Sequence, residues 1–183
     1  MLPHVRPARI QRELDALGIS EAMLAAKGLP FHDEAQSLVV AETDARGRQH
    51  LLVPAAATAW HHMKLAAHDD GIAIELVSAF RSIEQQVDIL RNKLACGLPM
   101  TTILTLSAPP GYSEHHSGCA IDINTPGCAP TEAEFDATEA FTWLVAHAGR
   151  FGFTLSYPRD NALGFIYEPW HWFFHPLPAM LAA

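Results

Sequence analysis

Two short segments, far apart in the sequence, carry the residue types from which a catalytic metal site is built. The first reads Ser-Glu-His-His-Ser-Gly-Cys-Ala-Ile-Asp over residues 113–122, and the second reads Glu-Pro-Trp-His over residues 168–171. Their residues include two imidazoles, His115 and His171, one carboxylate that could ligate a metal, Asp122, and one further carboxylate, Glu168. Catalytic zinc sites use this inventory: three protein ligands, a position left for water, and a base that takes a proton from it.

The spacing within the first segment requires a bend in the chain. His115 and Asp122 are seven residues apart, an odd number, so they would face opposite sides of one flat strand. Gly118 lies between them and can supply the bend that turns both toward one metal ion.

In the second segment, His171 and Glu168 are predicted to take different positions relative to the metal. Alternation along the aromatic run places Trp172 and Phe174 on one face of a strand and His171 on the other. Glu168 precedes a proline, which favours an extended conformation. We therefore expect Glu168 to overhang the site without binding the metal, where a general base belongs.

The remaining sequence predicts a small α+β protein, a single domain with helices packed on a central antiparallel sheet. The capping box from Ser82 to Gln85 opens the clearest helix, whose apolar stripe ends at Leu94. Helices are predicted near residues 10–17, 21–27, 54–68 and 83–95, and strands near residues 37–42, 50–53, 72–80, 119–123 and 164–174.

Two further segments complete the prediction. Residues 97–113 contain three prolines and are predicted to form a long connection, which in a compact domain is often functional. Thr131 and Glu134 match a second capping box, which predicts a helix starting there with Phe135 and Val145 on its inner face.

Composition limits the partners and the location of the protein. The formal net charge is −8, with 12 scattered Lys and Arg residues, so we expect no nucleic-acid partner. No apolar stretch is as long as that of a signal peptide or of a transmembrane segment. We therefore expect a cytoplasmic protein with free thiols, or a periplasmic one if the start of the gene was trimmed. The oligomeric state stays open.

The two metal-ligand segments resemble a family signature. The pattern SxHxxGxAxD at residues 113–122, followed by ExWH at 168–171, resembles that of the VanY-type D-alanyl-D-alanine carboxypeptidases, a family of zinc peptidases. Upstream, residues 78–86 resemble the family's S-G-[YF]-R-S-x-x-x-Q segment, with Ala79 where glycine is frequent.

This resemblance covers residues 54–174 in the right order and implies a fold like that of the hedgehog domain and the DD-peptidases. We take residues 54–174 as the catalytic core. A helical segment, residues 1–36, precedes the core within one zinc peptidase domain spanning 1–183.

The resemblance also implies the chemistry of the site. One zinc ion per chain would be held by His115, Asp122 and His171, with Glu168 as the catalytic base. The substrate would be a peptidoglycan peptide that loses its C-terminal D-alanine.

Substrate contacts are implied for three other residues. Arg81, Gln86 and Ser113 would contact the peptide or the developing oxyanion. Arg81 could stabilise the oxyanion or instead hold the terminal carboxylate in a bidentate pair, and the sequence leaves both roles open.

Alternatives with the same residues remain. One is an LD-carboxypeptidase of muropeptide recycling, and another is an endopeptidase. A third, from a different class, is a non-catalytic zinc-binding module like the hedgehog domain, although such a module need not retain Glu168. A structural zinc site would need a fourth His or Cys ligand, and none is suitably spaced.

Overall fold

Six α-helices and six strands lie within residues 6–176, the part of the chain that the computed structural model describes. The α-helices are α1 (Ala8–Ala16), α2 (Glu21–Lys27), α3 (Pro54–Asp69), α4 (Ile83–Ala95), α5 (Met100–Leu106) and α6 (Glu139–His147). The strands are β1 (Val39–Thr43), β2 (Gln49–Leu52), β3 (Glu75–Ser78), β4 (Ala120–Asn124), β5 (Phe153–Leu155) and β6 (His171–Phe174). Within residues 6–176, no helix is both long and apolar enough to cross a membrane.

The central sheet is antiparallel throughout, as predicted. Its strand order is β3-β4-β6-β5, and β1 and β2 form a separate antiparallel hairpin. All five residues of β4 are buried, because the strand has a neighbouring strand on each side and its apolar residues pack into the core.

Alternation along β4 and β6 separates the core from the site. The apolar residues of one face pack into the main core with α3 and α6, as burial of large side chains favours. These core residues include Ile121, Ile123, Trp172 and Phe174 from the strands, Trp60 and Met63 from α3, and Leu144 from α6. Asp122 and His171 alternate with them and point to the opposite face.

A second apolar cluster joins α1 and α2 to α4 and α5. It includes Leu14, Leu24, Leu90 and Ile103. The α4 helix begins with a complete capping box, in which the Ser82 hydroxyl accepts from the Gln85 amide and the Gln85 side chain accepts from the Ser82 amide. This cap fixes where α4 starts, and therefore fixes the position of the adjacent Arg81.

Two predictions for residues 72–113 were wrong. The predicted connection at 97–113 contains α5, which is held in place because Ile103 and Leu104 are buried. The strand predicted at 72–80 is limited to Glu75–Ser78.

The helix predicted from the second capping box was also wrong. Thr131 has a positive φ of 57°, and a 3₁₀ turn follows at Ala133–Ala137. The α-helix begins only at Glu139, where the Thr138 hydroxyl accepts from the Phe141 amide. Two residues assigned to inner helical faces are exposed: Val145 is 62% exposed and Leu94 is 36% exposed.

Candidate metal centre and active site

Strand pairing brings two of the predicted ligands together. Asp122 on β4 lies directly opposite His171 on β6, and side chains of directly opposed residues lie on the same face of the sheet. The Nδ1 atom of His171 is 3.0 Å from Oδ1 of Asp122. Both side chains are almost fully buried.

The third predicted ligand comes from a 3₁₀ turn at Glu114–Ser117. Gly118 ends the turn with a φ of 68°, in the left-handed region, and its amide donates to the His115 carbonyl. This reversal is the bend that the odd spacing requires, and it brings His115 Nε2 to 3.3 Å from Asp122 Oδ2.

The geometry of these three residues fits a zinc ion. One ligand atom from each of His115, Asp122 and His171 lies within 4.8 Å of the others. Ligands bound at about 2.0–2.2 Å to a tetrahedral ion lie roughly 3.3–3.6 Å from one another. The separations of 3.0 Å to Oδ1 and 3.3 Å to Oδ2 of Asp122 are close to that range, and two imidazoles with one carboxylate are donors that zinc prefers.

Neighbouring groups set the orientation of the two adjacent histidines. His115 donates from Nδ1 to the Ala79 carbonyl at 2.6 Å, which leaves its Nε2 directed at Asp122. His116 donates from Nδ1 to the Arg81 carbonyl and accepts at Nε2 from the Gly111 amide. Both nitrogens of His116 are therefore engaged in the scaffold, and burial lowers its pKa to about 4.

Glu114 is a residue of the site that sequence reasoning missed. Its Oε2 lies 2.9 Å from His171 Nε2 and accepts from the Ser156 hydroxyl at 2.6 Å. A carboxylate behind a ligating imidazole fixes the ring and its tautomer. Its position directly before His115 marks Glu114 as a residue near the site. The local sequence does not show that its side chain reaches His171.

Buried charges interact strongly within this group. Burial alone would raise the pKa of Asp122, but His115 and His171 lower it below its ordinary value. Burial alone would likewise lower the pKa of His171, but hydrogen bonds to Asp122 and Glu114 raise it well above its ordinary value. The protein thus keeps Asp122 ionised, as a metal ligand must be.

Glu168 lies beside the ligands rather than among them. It begins a turn in which the His171 amide donates to the Glu168 carbonyl, with Pro169 between them. Its Oε2 is 3.9 Å from His171 Nδ1, and Glu168 is not among the three grouped ligand residues. Burial raises the pKa of Glu168 to about 7, which is near the value that suits a general base at neutral pH.

Arg81 is held at the edge of the site by two neutral hydrogen-bond partners and lies near the Asp122 carboxylate. It donates to Gln86 Oε1 at 3.0 Å and to the Ser78 hydroxyl at 3.2 Å, and its Nη2 is 3.9 Å from Asp122 Oδ2. The Gln86 amide also donates to the Ala108 carbonyl. Because both ends of that amide are engaged, Gln86 positions Arg81.

One cavity of about 350 Å³ joins all of the predicted site residues, a size that suits a small ligand. Those residues are Arg81, Gln86, Ser113, His115, Asp122, Glu168 and His171. Tyr157 and Lys93 also line the cavity and were not predicted. Tyr157 packs against the His171 ring with centroids 4.8 Å apart.

Comparison with known proteins places the chain in a family. The family model described as VanY, D-alanyl-D-alanine carboxypeptidase, matches residues 49–177. A D-alanyl-D-alanine carboxypeptidase of Enterococcus faecalis is 34% identical over 117 residues, which are 58% of this chain and 42% of the relative. The chain thus spans less than half of the length of that curated relative.

Solved structures agree with the sequence match. The LdcB LD-carboxypeptidase is similar with a TM-score of 0.72 and 27% identity, over 84% of this chain and 74% of that one. A mutant of the vancomycin-resistance D,D-pentapeptidase VanY in complex with Zn(II) is similar with a TM-score of 0.61 and 28% identity, over 82% and 90%. Since the family model matches more than half of the sequence and the fold agrees, the chain belongs to the VanY family of D-alanyl-D-alanine carboxypeptidases.

Proposed function

We propose that this protein is a zinc-dependent carboxypeptidase that hydrolyses the C-terminal D-alanine from peptidoglycan peptides. The observation that carries the proposal is the convergence of His115, Asp122 and His171 in one cavity, with the Glu168 carboxylate beside them. A metal group next to an unligated carboxylate is the arrangement that metal-assisted hydrolysis requires. The substrate class is taken from the family to which the chain belongs.

The metal would be held by His115, Asp122 and His171. Zinc bound there would lower the pKa of a water molecule toward about 7 and polarise the substrate carbonyl. Only three protein ligands are grouped among the described residues, which corresponds to a catalytic rather than a structural zinc site. Residues 54–174 form the catalytic core in this proposal.

The protein's own residues would move the proton and orient the peptide. The Glu168 carboxylate accepts a proton from the attacking water and returns it to the nitrogen of the departing alanine. Arg81, positioned by Gln86, donates either to the developing oxyanion or to the terminal carboxylate. Ser113 lines the same cavity and contacts the peptide.

An LD-carboxypeptidase is the second candidate, because one specific observation favours it. The LdcB LD-carboxypeptidase has the higher TM-score, 0.72 against 0.61 for VanY. The two activities differ in the configuration of the residue that precedes the scissile bond. Both would use the same metal ligands and the same base.

One experiment tests the proposal and separates the candidates. Zinc-loaded protein is incubated with pentapeptide and tetrapeptide muropeptides, and the products are weighed by mass spectrometry. Loss of one alanine from the pentapeptide identifies the DD activity, and loss of one alanine from the tetrapeptide identifies the LD activity. Intact peptides in both reactions, with zinc bound, would contradict the proposal and favour a non-catalytic zinc-binding module.

A further inference from the structure

A lysine lines the active-site cavity on the same helical face as Gln86. Gln86, Ile89 and Lys93 follow one another at spacings of three and four residues along α4, and all three line the cavity. Seven residues of helix separate Gln86 from Lys93 by about 10 Å. Lys93 therefore adds a second cation to the wall that holds Arg81, farther along the cavity.

Among residues 6–176, no carboxylate forms a hydrogen bond or a direct ion pair with the Lys93 ammonium, and Glu168 favours its charged form only from a greater distance. Its Nζ donates to the neutral Ser107 hydroxyl at 2.8 Å, and Ser107 itself lines the cavity. By contrast, Lys64 pairs with Glu42 at 2.7 Å. A carboxylate of a ligand in the cavity would therefore form the first direct ion pair with Lys93.

Two properties of the cavity favour an anionic ligand group near Lys93. Burial lowers the pKa of the Lys93 ammonium, which means that its charged form is poorly solvated and would gain from a carboxylate partner. Arg81, the other cation in the wall, already has Asp122 at 3.9 Å. Among the described residues, Lys93 is therefore the cation in this wall without a carboxylate at ion-pair distance, although Glu168 favours its charged form from farther away.

We propose that Lys93, together with the Ser107 hydroxyl, forms a subsite for a carboxylate of the substrate. The inference rests on the proposed function, because the ligand is taken to be the peptide. Peptides of the proposed class offer this group in two places: the C-terminal carboxylate and the side-chain carboxylate of a diaminodicarboxylic acid. Either group would accept hydrogen bonds from the ammonium and the hydroxyl.

Binding measurements with three peptides test the subsite. The parent peptide has a diaminopimelate residue and a free C-terminal carboxylate. The second peptide has lysine in place of diaminopimelate, and the third has a C-terminal amide. Calorimetry on zinc-loaded Glu168→Gln protein gives affinities that do not depend on turnover, so a failed subsite is distinguishable from a failed hydrolase.

Lys93→Gln in this background should weaken binding of the parent peptide by at least about 10-fold, as expected for a lost charge-assisted hydrogen bond. It should also abolish the affinity difference between the parent and one modified peptide, which identifies the carboxylate that Lys93 binds. Lys93→Arg, which keeps the charge, should retain most of the affinity.

Arg91→Gln is the matched control, because it removes a cation from the same helix. Arg91 pairs with Glu13 at 2.9 Å and does not line this cavity, so the affinities should not change. Melting curves establish that each variant is folded. Unchanged affinities of folded Lys93→Gln for all three peptides would overturn the proposal.

Discussion

Three carboxylates with different surroundings meet around His171. Asp122 is buried between two imidazoles, Glu168 lies at the side of the group, and Glu114 lies behind the His171 ring. These surroundings fit the three roles that we propose: a metal ligand for Asp122, a base for Glu168 and a residue that positions a ligand for Glu114. Residue type alone could not make this distinction, since Glu114 and Glu168 are the same amino acid.

Removing Glu114 should loosen the metal. In Glu114→Ala the Nε2 of His171 loses its carboxylate partner, so the ring is no longer fixed toward Asp122. Removing such a partner typically lowers metal affinity by about 10–100-fold. Competition with a chromophoric chelator measures this loss, and Glu134→Ala removes an exposed carboxylate as the control. Wild-type zinc affinity in folded Glu114→Ala would rule out a positioning role.

At the scale of the elements, the conformation of the 3₁₀ turn before β4 depends on Gly118. A Cβ on Gly118 would lie 3.0 Å from Leu38, 3.1 Å from Val53 and 3.2 Å from Ala35. The Gly118 carbonyl also accepts from the Val53 amide. The turn that carries His115 is therefore confined both by its positive φ and by its neighbours.

Gly118→Ala should lower stability and zinc affinity together. A left-handed conformation costs a non-glycine residue about 1–2 kcal/mol, and the close contacts add to that cost. Gly28→Ala is the matched control, because Gly28 has a φ of 61° and no atom within 4 Å of the added Cβ. Urea denaturation should show a larger loss for Gly118→Ala, and only this variant should bind zinc more weakly. Equal losses with unchanged zinc affinity would contradict this account of the turn.

Local signals explain which elements could be predicted from the sequence. The cap at Ser82 acts within one helical turn, so it is readable without the fold. The spacing argument for Gly118 is equally local. The predicted metal ligands were assigned from short, chemically distinctive segments and from the resemblance of those segments to a family signature.

Elements that depend on distant contacts could not be predicted in the same way. The α5 helix is rich in threonine, a poor helix former, and its sequence reads as a loop. Burial of Ile103 and Leu104 in the second apolar cluster stabilises it. The register that sets Asp122 opposite His171 is also non-local. For the same reason the sequence did not show that Glu114 reaches His171.

At the scale of the whole molecule, the metal site links parts of the chain that are far apart in sequence. His115 comes from a turn held to the segment before β1 through the bond from the Ala35 amide to the His116 carbonyl. Asp122 and His171 come from the two middle strands of the sheet. These ligands are close together only in the folded protein, so zinc would bind the folded state more tightly than the unfolded state.

Removal of zinc should therefore lower the melting temperature. A ligand present at about 100 times its Kd stabilises the folded state by about 2.7 kcal/mol, which corresponds to roughly 5–10 °C for a domain of this size. Thermal melts with zinc and with excess EDTA measure the difference. His171→Ala should melt at the same temperature in both conditions, and a zinc-dependent shift of normal size in that variant would exclude this residue as a ligand.

The central claim, that a zinc site with a separate base hydrolyses peptides, is tested most directly on one variant. Glu168→Gln keeps the shape of the side chain but removes the proton acceptor. Bound zinc and kcat are measured on the same preparation, with Asp122→Ala beside it. We expect Glu168→Gln to keep its zinc while kcat falls by at least about 10²-fold, and Asp122→Ala to lose zinc and activity together. Normal turnover in Glu168→Gln, or loss of zinc from Glu168→Gln while Asp122→Ala retains it, would contradict the account.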